Sequence, residues 1–154
     1  MRTVLLRVGA VAVGVTTAIG YFRLSSRAAP DAPKAEPVAE IKDVMHANNN
    51  KPNGLFGLIK AVLATEPSAA DWKLAAHRAT MIAEGGNTLM GLTPPKGGDD
   101  AAGKAKWATH CAEFRAAARD LAKQLKMKKL DDAKKSMVEL EKQCAACHGD
   151  HAPE

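Results

Sequence analysis

Cys144, Cys147 and His148 are the residues best suited to chemistry, written Cys-Ala-Ala-Cys-His near the end of the 154-residue chain. Two thiols three positions apart fall on one side of a helix. From there they can add to the two vinyl groups of a haem while the adjacent imidazole binds the iron from one face. Two other chemistries use the same atoms. A redox dithiol is also Cys-x-x-Cys, but it normally opens a helix in a βαβ unit, and here the pair closes a helical pattern. A zinc site could draw on Cys144, Cys147, His148 and His151. The adjacency of Cys147 and His148 strains a closed tetrahedron, and zinc fingers take their second ligand pair from a distant segment. The motif therefore predicts one covalent haem c and no catalytic residue, so an enzyme is not expected.

The elements that must position this motif are helices. Aromatics are 4% of residues, while Ala, Lys and Leu recur throughout, a composition that favours helix over sheet. Leu130, Ala133, Met137, Leu140, Cys144 and Cys147 alternate three and four apart, so the cysteines continue the core-facing stripe of the last helix. Trp107, Cys111, Phe114, Ala118, Leu121 and Leu125 give a preceding helix that starts near Asp99 the same seam. Before it, Ser68 with Asp71 resembles a capping box, opening a helix that runs to Gly85-Gly86 with a last turn reaching at most Leu92. The first helix, from Val38, is broken into two pieces by Asn48-Asn49-Asn50-Lys51-Pro52-Asn53-Gly54. Four such segments and no strand pattern predict an all-α, up-down-up-down four-helix bundle over residues 38–154.

The N-terminus reads differently. Val8 to Phe22 is almost wholly apolar or small and follows Arg2 and Arg7, the pattern of an export signal. It is short for a membrane span, which needs ~20 residues, although Val4, Leu5 and Leu6 could lengthen it into a retained anchor. Residues 1–28 are thus expected to be a signal peptide or a membrane anchor. Residues 29–37, with Pro30, Pro33 and Pro37, form a linker. The chain is expected in the periplasm or otherwise exported. The net charge of +5 comes mainly from Arg2, Arg7, Arg23 and Arg27, which all precede the first acidic residue, Asp31. The domain beyond them is nearly neutral, which excludes a nucleic-acid-binding face. The basic run from Arg115 to Lys135 is a solvated face that could steer a partner, but it lies away from the motif.

Bundle topology also limits what can reach the far side of the iron. The end of the last helix lies beside the start of the first, where Met45 and His46 sit, and near Met90 and Trp107. Met45 shares the inward stripe with Ile41, whereas His46 is turned ~100° away. Met45 is therefore the expected sixth ligand, against an open site, a ligating His46 or a Met45 that merely fills core space. Cys111 is expected to be a small buried residue, and His77 and His110 are expected at the surface or rim.

A helical bundle with Cys-x-x-Cys-His at the end of its last helix resembles the class II cytochromes c, the family of cytochrome c-prime and its low-spin relatives. The resemblance covers roughly residues 38–152. It implies thioethers at Cys144 and Cys147, iron ligation by His148, and a methionine early in the first helix as second ligand, which matches Met45. Family members often carry Arg or Lys four residues after the haem histidine. Here that position is Ala152, and His151 stands where an aromatic is common. Electron transfer to a redox partner protein is the expected function, with a homodimer possible. A five-coordinate protein binding NO or CO is the alternative. Peroxide reduction would need distal acid–base groups, and only His46 is placed to supply one.

Overall fold

Capping chemistry and apolar periodicity account for the helices of this protein, whose computed structural model describes residues 38–152. The helices are α1 (Ile41–Asn49), α2 (Leu55–Leu63), α3 (Ala69–Met90), α4 (Ala101–Lys126) and α5 (Leu130–His151). No strand occurs among the described residues, so the chain is all-α there. No helix among them is long and apolar enough to cross a membrane. The expected export segment, 1–28, and the linker, 29–37, lie outside the described residues.

The break expected after Asn48 separates α1 from α2. At α3 the Ser68–Asp71 capping box forms: the Ser68 hydroxyl accepts from the Asp71 N–H at 3.2 Å, and the Asp71 carboxylate accepts from the Ser68 N–H at 2.9 Å. Two otherwise unpaired backbone donors are satisfied this way. Helix α4 starts on Asp100, whose carboxylate accepts from the Gly103 N–H at 2.7 Å. Helix α3 does not stop at its glycine pair but continues to Met90. Each helical glycine costs about 1 kcal/mol relative to Ala, and packing offsets it. A Cβ at Gly86 would stand 2.9 Å from the Arg115 Cβ and 3.3 Å from the Cys111 carbonyl oxygen, so only glycine lets α4 lie this close to α3.

Helix α4 ends in a paired set of backbone bonds. The Lys128 N–H donates to the Leu125 carbonyl at 3.1 Å, and the Lys129 N–H donates to the Gln124 carbonyl at 3.1 Å. This C-terminal motif puts Lys128 in the left-handed region, at φ 57°. A side chain there costs about 1 kcal/mol that glycine avoids. Lys128→Gly is therefore expected to raise the unfolding free energy by about 0.5–1 kcal/mol, measurable as a higher urea midpoint.

Helix α3 packs on α4, α4 on α5, and α2 on both α3 and α5. Their shared core is centred on Ile59, Ile82, Leu121, Leu125 and Leu140, all fully buried. Helix α1 packs on α2 and α3, but none of its Cα atoms comes within 8 Å of α4 or α5. A second, smaller cluster of Val44, Leu89, Trp107 and Cys111 lies at that end, with Ile41, Met45 and Cys147 partly buried against it.

Candidate functional site

The gap between α1 and the end of α5 is where the chemistry-bearing residues meet. Helix α5 stays helical through Cys144-Ala145-Ala146-Cys147-His148 and ends at His151. The two thiols therefore point to one side, as their spacing predicts. Cys144 packs against the main core and Cys147 against the smaller cluster. Both are half-buried and neither is in a disulfide, whereas His148 is exposed.

Two clefts flank these residues, and Met45, Cys147 and His148 line both. The inner one is walled by Phe56, Leu89, Cys111, Phe114 and Cys144, with Asn48, Asn49 and His110 the further polar contributors. Its free volume of ≈ 20 Å³ admits little more than one water. The outer one, bordered by Ile41, Lys42, Pro95, Trp107, His151 and Ala152, encloses ≈ 360 Å³. That is within the range of pockets that hold small ligands and cofactors.

Of the other sequence-derived candidates, Met45 lies in the gap and His46 does not. His46 is exposed, and its Nε2 pairs with the Asn50 side-chain amide at 3.2 Å. Met90 is exposed and lines neither cleft. Cys111 is 2% exposed, as expected of a small buried thiol. No group of three or more His, Cys, Asp or Glu side chains among the described residues is placed to share a metal ion.

His110 lies partly buried at the edge of the inner cleft, in keeping with the expectation of a rim residue, but it is tied down there. Its side chain is 12% exposed, and its Nε2 donates to the Asp150 carboxylate at 2.8 Å. The other Asp150 oxygen accepts from Lys106 Nζ at 2.7 Å. Lys106 and then His110 hold the Asp150 carboxyl below its ordinary range. His77, by contrast, is exposed as expected. His151 adds a further tie that sequence reasoning missed. It is 3% exposed, and its Nδ1 donates to the Lys96 carbonyl at 2.8 Å. Its ring meets those of Trp107 and His110 edge-on, with centroids 5.3 and 5.7 Å away. The Trp107 indole in turn donates to the Leu89 carbonyl at 2.9 Å. The last turn of α5 is thus pinned to α4 and to the α3–α4 loop on either side of its accessible face. One spacing signal pointed to His110: it lies three residues after Trp107 and four before Phe114, beside the buried stripe of α4.

Burial governs the thiols. It pushes Cys144 up to about 11, with Cys147 and Glu141 adding to the effect. Cys147 is raised by burial and then by Asp150, and Cys111 is pushed up to about 12 by burial and then by Cys147. A thiol with a pKa near 11 is only ~0.1% thiolate at pH 8, and the thiolate is the nucleophile. In the folded, haem-free chain, Cys144 is therefore expected to alkylate with iodoacetamide at least tenfold more slowly than a free cysteine at pH 8. The rate should climb with pH towards 11, and mass spectrometry after timed quenching reads it out. Urea should abolish the protection.

Against known proteins, the chain matches no family model, no curated protein and no solved structure.

Proposed function

We propose that this chain is a covalent c-type haem protein, attached through Cys144 and Cys147 with His148 on the iron, whose role is electron transfer. The observation that carries the proposal is the α1–α5 gap: it is walled by apolar side chains, faced by two unpaired thiols from one helix side, and has the only imidazole of the motif at its mouth. We further propose that α1 and α2 together act as the first helix of an up-down-up-down four-helix bundle. This is the architecture of the class II cytochromes c, which the motif's place on the last helix resembles.

The residues fit such a group in three respects. The thiols and imidazole are the donor set that covalent haem attachment uses. The outer cleft is of cofactor size. Two buried nitrogens without a hydrogen bond, Nδ1 of His110 (4.0 Å from a Glu113 carboxylate oxygen) and Nε2 of His151, belong to residues that line the clefts, one on each. When bound, haem supplies an iron that cycles between Fe(II) and Fe(III). The chain's own residues would do the rest. Cys144 and Cys147 fix the macrocycle to α5, and His148 holds the iron from that side. Met45 offers a thioether from α1, and sulfur ligation raises the reduction potential. The ties from Asp150 and His151 hold the ligating turn still, which keeps rearrangement between redox states small.

The apolar inner wall of Phe56, Leu89 and Phe114 favours one second reading, a five-coordinate iron that takes NO or CO beside these residues. The partner would be a redox protein in the first reading and none in the second. An exported location, by way of the N-terminal segment, is part of the same proposal because attachment of this type takes place outside the bacterial cytoplasm.

Denaturing electrophoresis followed by haem staining of protein expressed with its N-terminal segment tests the reading. The stained band is expected to survive extraction with acidified acetone. A colourless band, or stoichiometric zinc in the purified protein, would overturn it. The spin state of the oxidised protein then separates a low-spin electron carrier from a high-spin gas binder.

A further inference from the structure

Asn48 is a buried residue whose side-chain amide has no hydrogen-bond partner among the described residues. It lies on α1 and is 4% exposed, less than most of the apolar residues around it. Its side chain borders the inner cleft. Its amide atoms are not sealed from solvent, so the N–H groups are free to donate to whatever fills the cleft. Helix α3 makes room for it: a Cβ at Gly85 would stand 3.8 Å from Asn48 Nδ2 and 3.2 Å from Val44 Cγ1. Asn48 follows Met45 by three residues, so both side chains leave the same face of α1. Both line the inner cleft together with His148. The fully buried side-chain nitrogens without a hydrogen bond, His110 Nδ1, Arg115 Nε and His151 Nε2, belong to α4 and α5 instead.

We propose that Asn48 is the hydrogen-bond donor to the atom bound on the iron face opposite His148, an inference that rests on the haem reading above. An amide N–H donates to a lone pair. Two ligand atoms present one there: the Met45 sulfur, or a diatomic ligand that takes its place. In either case the donor draws electron density from the ligand atom and holds it in one orientation. Asn48 is thereby a positioning residue of the iron's second face, set on the same helix turn as Met45.

The test uses the reduced holoprotein under CO, in wild type, Asn48→Leu and Asn48→Ser, each with Met45 intact and as Met45→Ala. Leu keeps the branched shape of Asn, at somewhat greater bulk, without a donor, while Ser keeps a shorter donor. Asn48→Leu is expected to move the C–O stretching band to higher wavenumber in both Met45 backgrounds, and Asn48→Ser to move it less. If the Met45 sulfur is the natural acceptor, CO should also displace it about five-fold more readily in Asn48→Leu, the equivalent of one neutral hydrogen bond. A band shift without that gain assigns the acceptor to the diatomic ligand. Equal bands in wild type and Asn48→Leu, or equal shifts in the Leu and Ser variants, would overturn the proposal. Protein without covalent haem would instead overturn the reading beneath it.

Discussion

Met45→Ala is expected to convert the oxidised protein from low-spin to high-spin and to abolish a weak near-infrared sulfur-to-iron band. Met45 is the one sulfur of α1 in the gap, it borders both clefts, and His46 on the same helix is directed away into a contact with Asn50. Loss of a thioether ligand removes a group that favours Fe(II), so the reduction potential should fall. The expected drop is on the order of 0.1 V, a fraction of the ~0.8 V over which axial ligands set haem potentials. The same substitution should let the reduced protein bind CO at once. Because Met45 is only partly buried and packs at the edge of the smaller cluster, truncation should cost at most about 2 kcal/mol of stability, at the low end of methionine truncations. A denaturant titration separates that cost from the spectral change. A wild-type protein that is already high-spin, or a spectrum unmoved by Met45→Ala, would remove Met45 from the iron and leave the gas-binding reading.

Cys144→Ala with Cys147→Ala should have the larger effect: complete loss of haem from the denatured polypeptide, seen as a blank haem stain and an intact mass equal to the chain alone. Each single substitution leaves one thiol. One thioether should then form, the stain should persist, and the α band of the reduced pyridine adduct should move to longer wavelength, since one vinyl stays unsaturated. The two positions are not equivalent. Cys144 is anchored in the main core, whereas Cys147 sits in the smaller cluster beside Trp107 and Cys111. Cys111→Ala should leave the stain unchanged. Loss of the stain in that variant would mean that the third thiol, not the motif, holds the haem.

Most of the helical frame was legible in the sequence because its signals are local. The three-and-four alternation of α4 and α5, the Ser68–Asp71 cap and the Asn48–Gly54 break each act within a turn or two. What was not legible depends on residues far apart in the chain. The last turn beyond Gly85-Gly86 falls within the expected bound of Leu92, but the reason for a glycine at 86 could not be read, because the Arg115 and Cys111 that press against it lie on α4. The tie that holds His110 at the rim could not be read, because its partner, Asp150, lies forty positions downstream. His151 looked like an ordinary terminal histidine because the carbonyl it bonds belongs to Lys96, in the α3–α4 loop. The candidate site divides the same way: the motif could be read directly, but the ties that hold its last turn could not. Asn48 was read only as part of a turn, since no local pattern distinguishes a capping asparagine from one whose amide borders a cleft.

The close approach at Gly86 carries a consequence for how sequence change would register in this protein. Cys111 and Phe114 wall the inner cleft, and Arg115 follows them on the same helix. A methyl group at position 86 would act as a wedge there, levering α4 away from α3 at the level of that wall. Gly86→Ala would ordinarily strengthen a helix, but here it trades local propensity against the bore of a cavity it does not line. In a random-mutagenesis screen for spectral variants, position 86 should therefore score beside the ligands themselves. Its neighbour Gly85, whose Cβ would meet only side-chain atoms, the nearest a Val44 methyl at 3.2 Å on the short helix α1, should tolerate alanine with less change.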